Sequence, residues 1–170
     1  MPLYYELSKI DIDWEKISIY LGDDRVVTND HVDSNEKLIK DYLLINNARS
    51  AKFYSLLSPK LSINKIKFPF DIVLLGFGND GHFASLFPGS NIDLNDKPDL
   101  VVSDKPEGTP SYHRVSMNIS MLLNTKRCIL LVTNKRKRMI VNQAFTDDNM
   151  PLFFLLNQNK TLIECSDLFK

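Results

Sequence analysis

Apolar runs alternate with amphipathic stretches along the chain, and this pattern predicts its secondary structure. The runs at residues 71–75 and 127–133 are almost entirely apolar, which is typical of strands that are buried on both faces. Residues 17–21 predict a further strand and residues 161–165 a closing strand, and weaker strand signals occur at 100–103 and 113–117. The polar segment 22–33 is predicted to form a loop.

Four stretches predict helices. They are residues 3–8, 34 to about 57, 135–145, and a short helix from Pro151, which suits a first helical turn. In the second stretch, Asp33 or Ser34 is a suitable cap. Its periodic positions are Leu38, Tyr42, Ile45 and Arg49. Buried strands that alternate with helices predict an α/β fold with a mainly parallel sheet, formed as one domain over residues 1–170.

Composition narrows the function classes. The 21 basic residues balance the 21 acidic ones, so no overall field favours nucleic acid or an anionic membrane. Cys128 and Cys165 are isolated in apolar runs and are expected to be buried, reduced thiols. The first ten residues do not resemble a signal peptide and no apolar run is long enough to cross a bilayer, so the cytoplasm is the expected location. The three histidines are scattered, and neither a metal nor a cofactor is predicted.

The stretch GFGNDGHFASLFPG, residues 76–89, follows the predicted strand 71–75 and carries the candidate chemistry. Its glycines have the G-x-G-x-x-G spacing of a dinucleotide-binding turn, which requires a full helix after the third glycine. Pro88 comes only seven residues after Gly81, so that helix would be too short. The alternative is a catalytic loop at the carboxyl end of a strand, with His82 as a general base that Asp80 orients.

A second cluster, NKRKR at residues 134–138, is basic. It is interpreted as the solvated start of a helix, with a phosphate near Lys137 as the alternative, since positive charge is slightly unfavourable at a helix amino terminus.

At these residues the sequence resembles the 6-phosphogluconolactonase family. The family motif G-x-G-x-D-G-H-x-A-S-L-F-P is matched throughout residues 76–88, and the family's upstream and downstream motifs appear at residues 23–25, 34–35 and 114–116. The resemblance implies a Rossmann-like three-layer fold and hydrolysis of 6-phosphoglucono-1,5-lactone in the pentose phosphate pathway without a metal. It implies His82 as the base on water and Asp80 as its partner. The substrate-binding residues that it implies are Asp23, Arg25, Asn35, Gly78, Gly81, Ser85, Arg114 and Lys137.

Two alternatives stay open at this point. Glucosamine-6-phosphate deaminase is similar in fold and has a related glycine-rich loop, but in that family I-A-F-N-E-P typically follows the histidine, whereas FASLFP follows His82. The second alternative is a weakly active or inactive homologue that only binds a sugar phosphate or a partner. It arises because family members usually begin with a helix, a strand and a glycine-rich loop, whereas this sequence starts at about the proline of that loop, Pro2.

Three further positions depart from the family pattern. Asp24 stands where glutamate is usual, Asn134 where glycine is common, and Phe83 where threonine is frequent. The oligomeric state is not predicted.

Overall fold

Helices and short strands alternate along the chain in the computed structural model, which describes residues 2–58, 61, 63–159 and 163–167. The helices are α1 (Pro2–Ser8), α2 (Asn35–Tyr42), α3 (Ile119–Leu123), α4 (Lys135–Ala144) and α5 (Pro151–Asn157). The strands are β1 (Ser18–Tyr20), β2 (Asp23–Arg25), β3 (Lys52–Tyr54), β4 (Val73–Leu75), β5 (Leu100–Val102), β6 (Arg114–Met117), β7 (Cys128–Val132) and β8 (Ile163–Asp167). Short 3₁₀ turns lie at Trp14–Lys16, Asn46–Ser50 and Ile63–Lys65.

The described strands form three small sheets. β1 pairs with β3 in parallel, and β4, β7 and β8 form a parallel sheet in that order. The third sheet, β2-β6-β5, is antiparallel. Three of these five strand pairings are therefore parallel, and the predicted α/β class with mainly parallel strands is confirmed.

The segment from residue 34 to 57 corrects the predicted long helix. Ser34 is the N-cap, and its side chain accepts a hydrogen bond from the amide of Lys37. The helix ends at Tyr42, because Ile45 is extended and Asn46 adopts a left-handed conformation with φ of 47°. A 3₁₀ turn and strand β3 then follow. The apolar spacing was misread, since the buried apolar positions of the helix and its C-cap are Ile39 and Leu43.

Two other expectations were wrong. Residues 22–33 contain strand β2, which pairs with β6 and was not recognised because its sequence, Asp-Asp-Arg, is wholly polar. β4 is not buried on both faces, since Leu74 is 42% exposed and Ile72, just before the strand, is 55% exposed. β4 is an edge strand of its sheet, which accounts for this exposure. The closing strand was expected at 161–165, and its first two residues lie outside the described residues.

A connected hydrophobic core joins the sheets and helices. Leu130 of β7 and Leu152 and Leu155 of α5 are fully buried in it, together with Phe83 of the loop after β4. Cys128 is also fully buried, as expected. Because Phe83 is part of this core, the loop that carries it is anchored to the centre of the molecule. Within the described residues, no helix combines the length and hydrophobicity that crossing a membrane would require.

Candidate active site

The loop of residues 76–89 leaves the carboxyl end of β4 and folds back on itself. The amide of Gly78 donates a hydrogen bond to the carbonyl oxygen of His82 over 2.7 Å, and Phe83 makes β-bridges to Phe77 and Leu86. No helix follows Gly81 within this loop. The geometry of a dinucleotide-binding turn is therefore absent, as the position of Pro88 had predicted.

His82 and Asp80 form a hydrogen-bonded pair on this loop. Nδ1 of His82 lies 2.6 Å from Oδ1 of Asp80, and 30% of the histidine side chain is exposed. Partial burial opposes ionisation of Asp80, but the hydrogen bond and charge of His82 outweigh it and lower the pKa of the Asp80 carboxyl. An ionised carboxylate can only accept, so Nδ1 carries a proton, and in the neutral imidazole Nε2 then has the free lone pair. This tautomer is the one that a general base requires.

The two glycines predicted to bind substrate have different roles in the geometry. A Cβ atom on Gly78 would lie 2.2 Å from Cε1 and Nδ1 of His82, so glycine is required where the ring packs on the backbone. Gly81 has φ of +78°, and a Cβ atom there would lie 2.9 Å from Met150. Gly81 therefore shapes the loop against the residues before α5.

Two arginines face each other on β2 and β6. Arg25 and Arg114 are direct cross-strand partners in the antiparallel register. Burial, followed by the positive charge of Arg25, lowers the pKa of Arg114. The nearest carboxylate oxygen to Arg114 that forms an ion pair belongs to Asp23, at 3.9 Å. Like charges directly opposite each other are unfavourable, so this pair is suited to an anion that contacts both groups.

Asp23, Ser85 and Asn35 surround the arginine pair. Ser85 donates to Asp23 over 2.5 Å, and Nη1 of Arg25 donates to Oδ1 of Asn35 over 2.5 Å. Burial raises the pKa of Asp23, although the hydrogen bond from Ser85 and the charges of Arg25 and Arg114 act in the opposite direction. The network links the loop of residues 76–89, through Ser85, to strand β2.

Phe87 lies between the histidine and an arginine, and its role was not predicted. Its ring centroid is 4.5 Å from that of His82 and 5.7 Å from Cζ of Arg114. Arg114 is further held by the carbonyl oxygens of Glu107 and Pro110, at 3.3 and 3.1 Å. Nε and Nη2 are used by these carbonyls, so Nη1 is the nitrogen directed towards Asp23. The sequence signal for Phe87 was its place in the family motif that residues 76–88 match.

Lys137 approaches the same loop from the start of α4, where Asn134 caps the helix by accepting from the Lys137 amide. Its ammonium group donates a hydrogen bond to the carbonyl oxygen of Phe77 and lies over the Phe77 ring. Partial burial lowers the pKa of Lys137, while the charge of Asp80 opposes this shift. Lys137 is therefore a cation held beside the His82–Asp80 pair rather than a freely solvated one.

The structure thus brings most of the predicted site residues together. His82, Asp80 and Gly78 share one loop, and Lys137 reaches it through Phe77. The remaining polar residues form one network, which consists of Asp23, Arg25, Asn35, Ser85 and Arg114. Among the described residues, no group of three or more His, Cys, Asp and Glu side chains is placed to hold a metal ion.

Comparison with known proteins identifies the family. The model of the family described as glucosamine-6-phosphate isomerases/6-phosphogluconolactonase matches residues 1–163. The chain belongs to this family. A 6-phosphogluconolactonase of Helicobacter pylori (strain J99) is 36% identical, over 96% of this chain and 77% of its own length.

Solved structures agree with this assignment. The crystal structure of a 6-phosphogluconolactonase from Shewanella baltica superposes with a TM-score of 0.84 at 30% identity, covering 96% of this chain and 77% of that one. A putative 6-phosphogluconolactonase from Neisseria gonorrhoeae gives a TM-score of 0.82 at 27% identity, over 95% and 78% of the two chains.

Proposed function

We propose that this protein hydrolyses 6-phospho-D-glucono-1,5-lactone to 6-phosphogluconate, a reaction of the pentose phosphate pathway. The observation that carries the proposal is the His82–Asp80 pair, 2.6 Å apart, beside a cross-strand pair of arginines. A base next to a cationic patch suits an ester substrate that carries a phosphate. Two related proteins named 6-phosphogluconolactonase, whose alignments with this chain cover 77% and 76% of their own lengths, support it. The expected location, the cytoplasm, rests on the sequence argument alone.

His82 acts as the general base. Nε2 accepts a proton from a water molecule as that water attacks the lactone carbonyl carbon, and Asp80 stabilises the imidazolium that forms. The tetrahedral intermediate then collapses by breaking the bond between the carbonyl carbon and the ring oxygen. Nε2 returns its proton to that ring oxygen, which becomes a hydroxyl group. The product is a carboxylic acid, which ionises at neutral pH.

The cationic residues bind the substrate's phosphate and stabilise the developing oxyanion. Arg25 and Arg114 are positioned as a pair, and guanidinium groups bind such oxygens through two parallel hydrogen bonds. Lys137, held at the Phe77 carbonyl next to the catalytic loop, supplies a third positive charge. Burial and then the positive charge of Arg25 lower the pKa of Arg114, and negative charge on the substrate offsets the repulsion from Arg25.

The test compares substrates under one set of conditions. Freshly prepared 6-phosphogluconolactone and unphosphorylated gluconolactone are each hydrolysed in a pH-stat, with spontaneous opening subtracted. A much higher kcat/KM for the phosphorylated lactone than for the unphosphorylated one supports the proposal. Release of ammonia from glucosamine 6-phosphate without lactone hydrolysis would overturn it.

A further inference from the structure

Asp24 is a buried carboxylate between two residues of the site. Its neighbours on β2, Asp23 and Arg25, point to the side of the sheet that carries the arginine pair, because alternate residues of a strand face opposite sides. Asp24 therefore faces the other side, towards α2, and is only 1% exposed. A charge buried so completely requires several hydrogen-bond partners.

Those partners lie at the start of α2. Oδ1 of Asp24 accepts from the amides of Arg25 at 2.8 Å and Asn35 at 2.7 Å. Oδ2 accepts from the amide of Glu36 at 3.0 Å and from the hydroxyl of Ser34 at 3.3 Å. Most of these donors belong to the first turn of a helix, where a negative charge is also favoured by the helix dipole.

This arrangement holds the backbone of Asn35 in place, while the side chain of Asn35 contacts other residues of the site. With the Asn35 amide held by Asp24, Oδ1 of Asn35 accepts from Arg25 at 2.5 Å. Nδ2 of Asn35 donates to the carbonyl oxygen of Asp23 at 2.9 Å. Asp24 thus links the amino end of α2 to strand β2, and the side chain of Asn35 contacts the Arg25 guanidinium from that helix end.

We propose that Asp24 is a positioning residue that orients Arg25 through Asn35 for binding of the phosphorylated substrate. The inference rests on the proposed function for the identity of the ligand. It does not require turnover, because orientation of Arg25 is measured by the affinity for a phosphorylated ligand.

The experiment measures binding of 6-phosphogluconate and of inorganic phosphate by calorimetry, in Asp24→Asn, Arg25→Ala and the double variant. Asp24→Asn is expected to weaken 6-phosphogluconate binding about tenfold, the loss of roughly one charge-assisted hydrogen bond. In the Arg25→Ala background it is expected to cause no further loss, because Asp24 acts through that side chain. Asp24→Glu, which retains the carboxylate, is expected to restore most of the affinity.

Asn118→Ala is the matched control for simple destabilisation. Asn118 is buried, lies four positions after Arg114 in the sequence, and caps α3 by accepting from the Met121 amide. It is expected to lower the melting temperature without changing affinity. Normal binding in Asp24→Asn, or an equal loss in the presence and absence of Arg25, overturns the proposal.

A second variant covers the case in which Asp24→Asn does not fold. Asn35→Ala leaves the bonds of Asp24 to the helix amides and removes only the side chain that contacts Arg25. It is expected to weaken binding to a similar extent, again without further loss in Arg25→Ala, and unchanged affinity overturns the proposal. Binding of 6-phosphogluconate by the wild-type protein without lactone turnover would count against the proposed function alone.

Discussion

Replacing Gly78 with alanine tests whether the catalytic pair depends on the close packing of His82 on the loop backbone. The added Cβ atom would lie 2.2 Å from two ring atoms of His82 and 2.5 Å from Oδ1 of Asp80, where ordinary contacts begin at 3.4 Å. The imidazole must therefore move by about 1 Å, and a displacement of that size at a reacting group costs about 100-fold in rate. This corresponds to about 2.7 kcal/mol of transition-state stabilisation.

Stability is expected to change little, because 30% of the His82 side chain is exposed and the ring can rotate towards solvent. The assay is kcat/KM for lactone hydrolysis in a pH-stat, with thermal melting measured on the same preparation. Gly76→Ala is the matched control, since a Cβ atom there meets nothing within 4 Å, and its kcat/KM is expected to stay within about twofold. Wild-type activity in Gly78→Ala, or an equal loss in both variants, would refute the steric argument.

Three further substitutions give measurable outcomes. Asp80→Asn is expected to lower kcat about 1,000-fold, because the amide no longer stabilises the imidazolium. Because the pKa of Asp80 is lowered, its ionised form stabilises the fold above about pH 3.9. This contribution is lost as the pH falls through the folded-state pKa. The melting temperatures of wild type and Asp80→Asn should therefore converge in acid. Arg114→Lys is expected to raise KM about tenfold in initial-rate measurements, since an ammonium group cannot contact both carbonyls and the substrate; an unchanged KM would contradict this. Gly81→Ala combines φ of +78° with a Cβ atom 2.9 Å from Met150, and calorimetry should show a loss of more than about 1 kcal/mol in unfolding free energy; unaltered stability would show that the loop adapts.

The conformation of the loop of residues 76–89 could be predicted from sequence because its determinants are local. The glycines, Asp80 and His82 lie within seven consecutive residues, and Pro88 rules out a long helix by itself. Capping of α2 by Ser34 could also be predicted from sequence, because the N-cap hydrogen bond joins residues three positions apart.

The arginine pair could not be predicted in the same way. Arg25 and Arg114 are 89 positions apart and meet only because β2 pairs with β6. β2 has no alternation of apolar and polar residues, so the pattern that identifies strands is missing from it. The same holds for Asp24, whose burial depends on helix α2 packing against that strand.

The error over the long helix has a related cause. Helical spacing continued past Tyr42 in the sequence. The left-handed conformation of Asn46 and the pairing of β3 with β1 depend on tertiary structure instead. A strand of three residues gains its stability from its partner, and local propensity alone does not reveal it.

The central claim is that His82 is the base in lactone hydrolysis, and one comparison tests it most directly. Initial rates of proton release from fresh 6-phosphogluconolactone are measured for the wild-type chain and for His82→Ala, with spontaneous opening subtracted and folding verified by circular dichroism. The wild-type chain is expected to exceed the background, and the variant is expected to lose at least about 100-fold in kcat. Equal rates above background in the two proteins would contradict the role of His82.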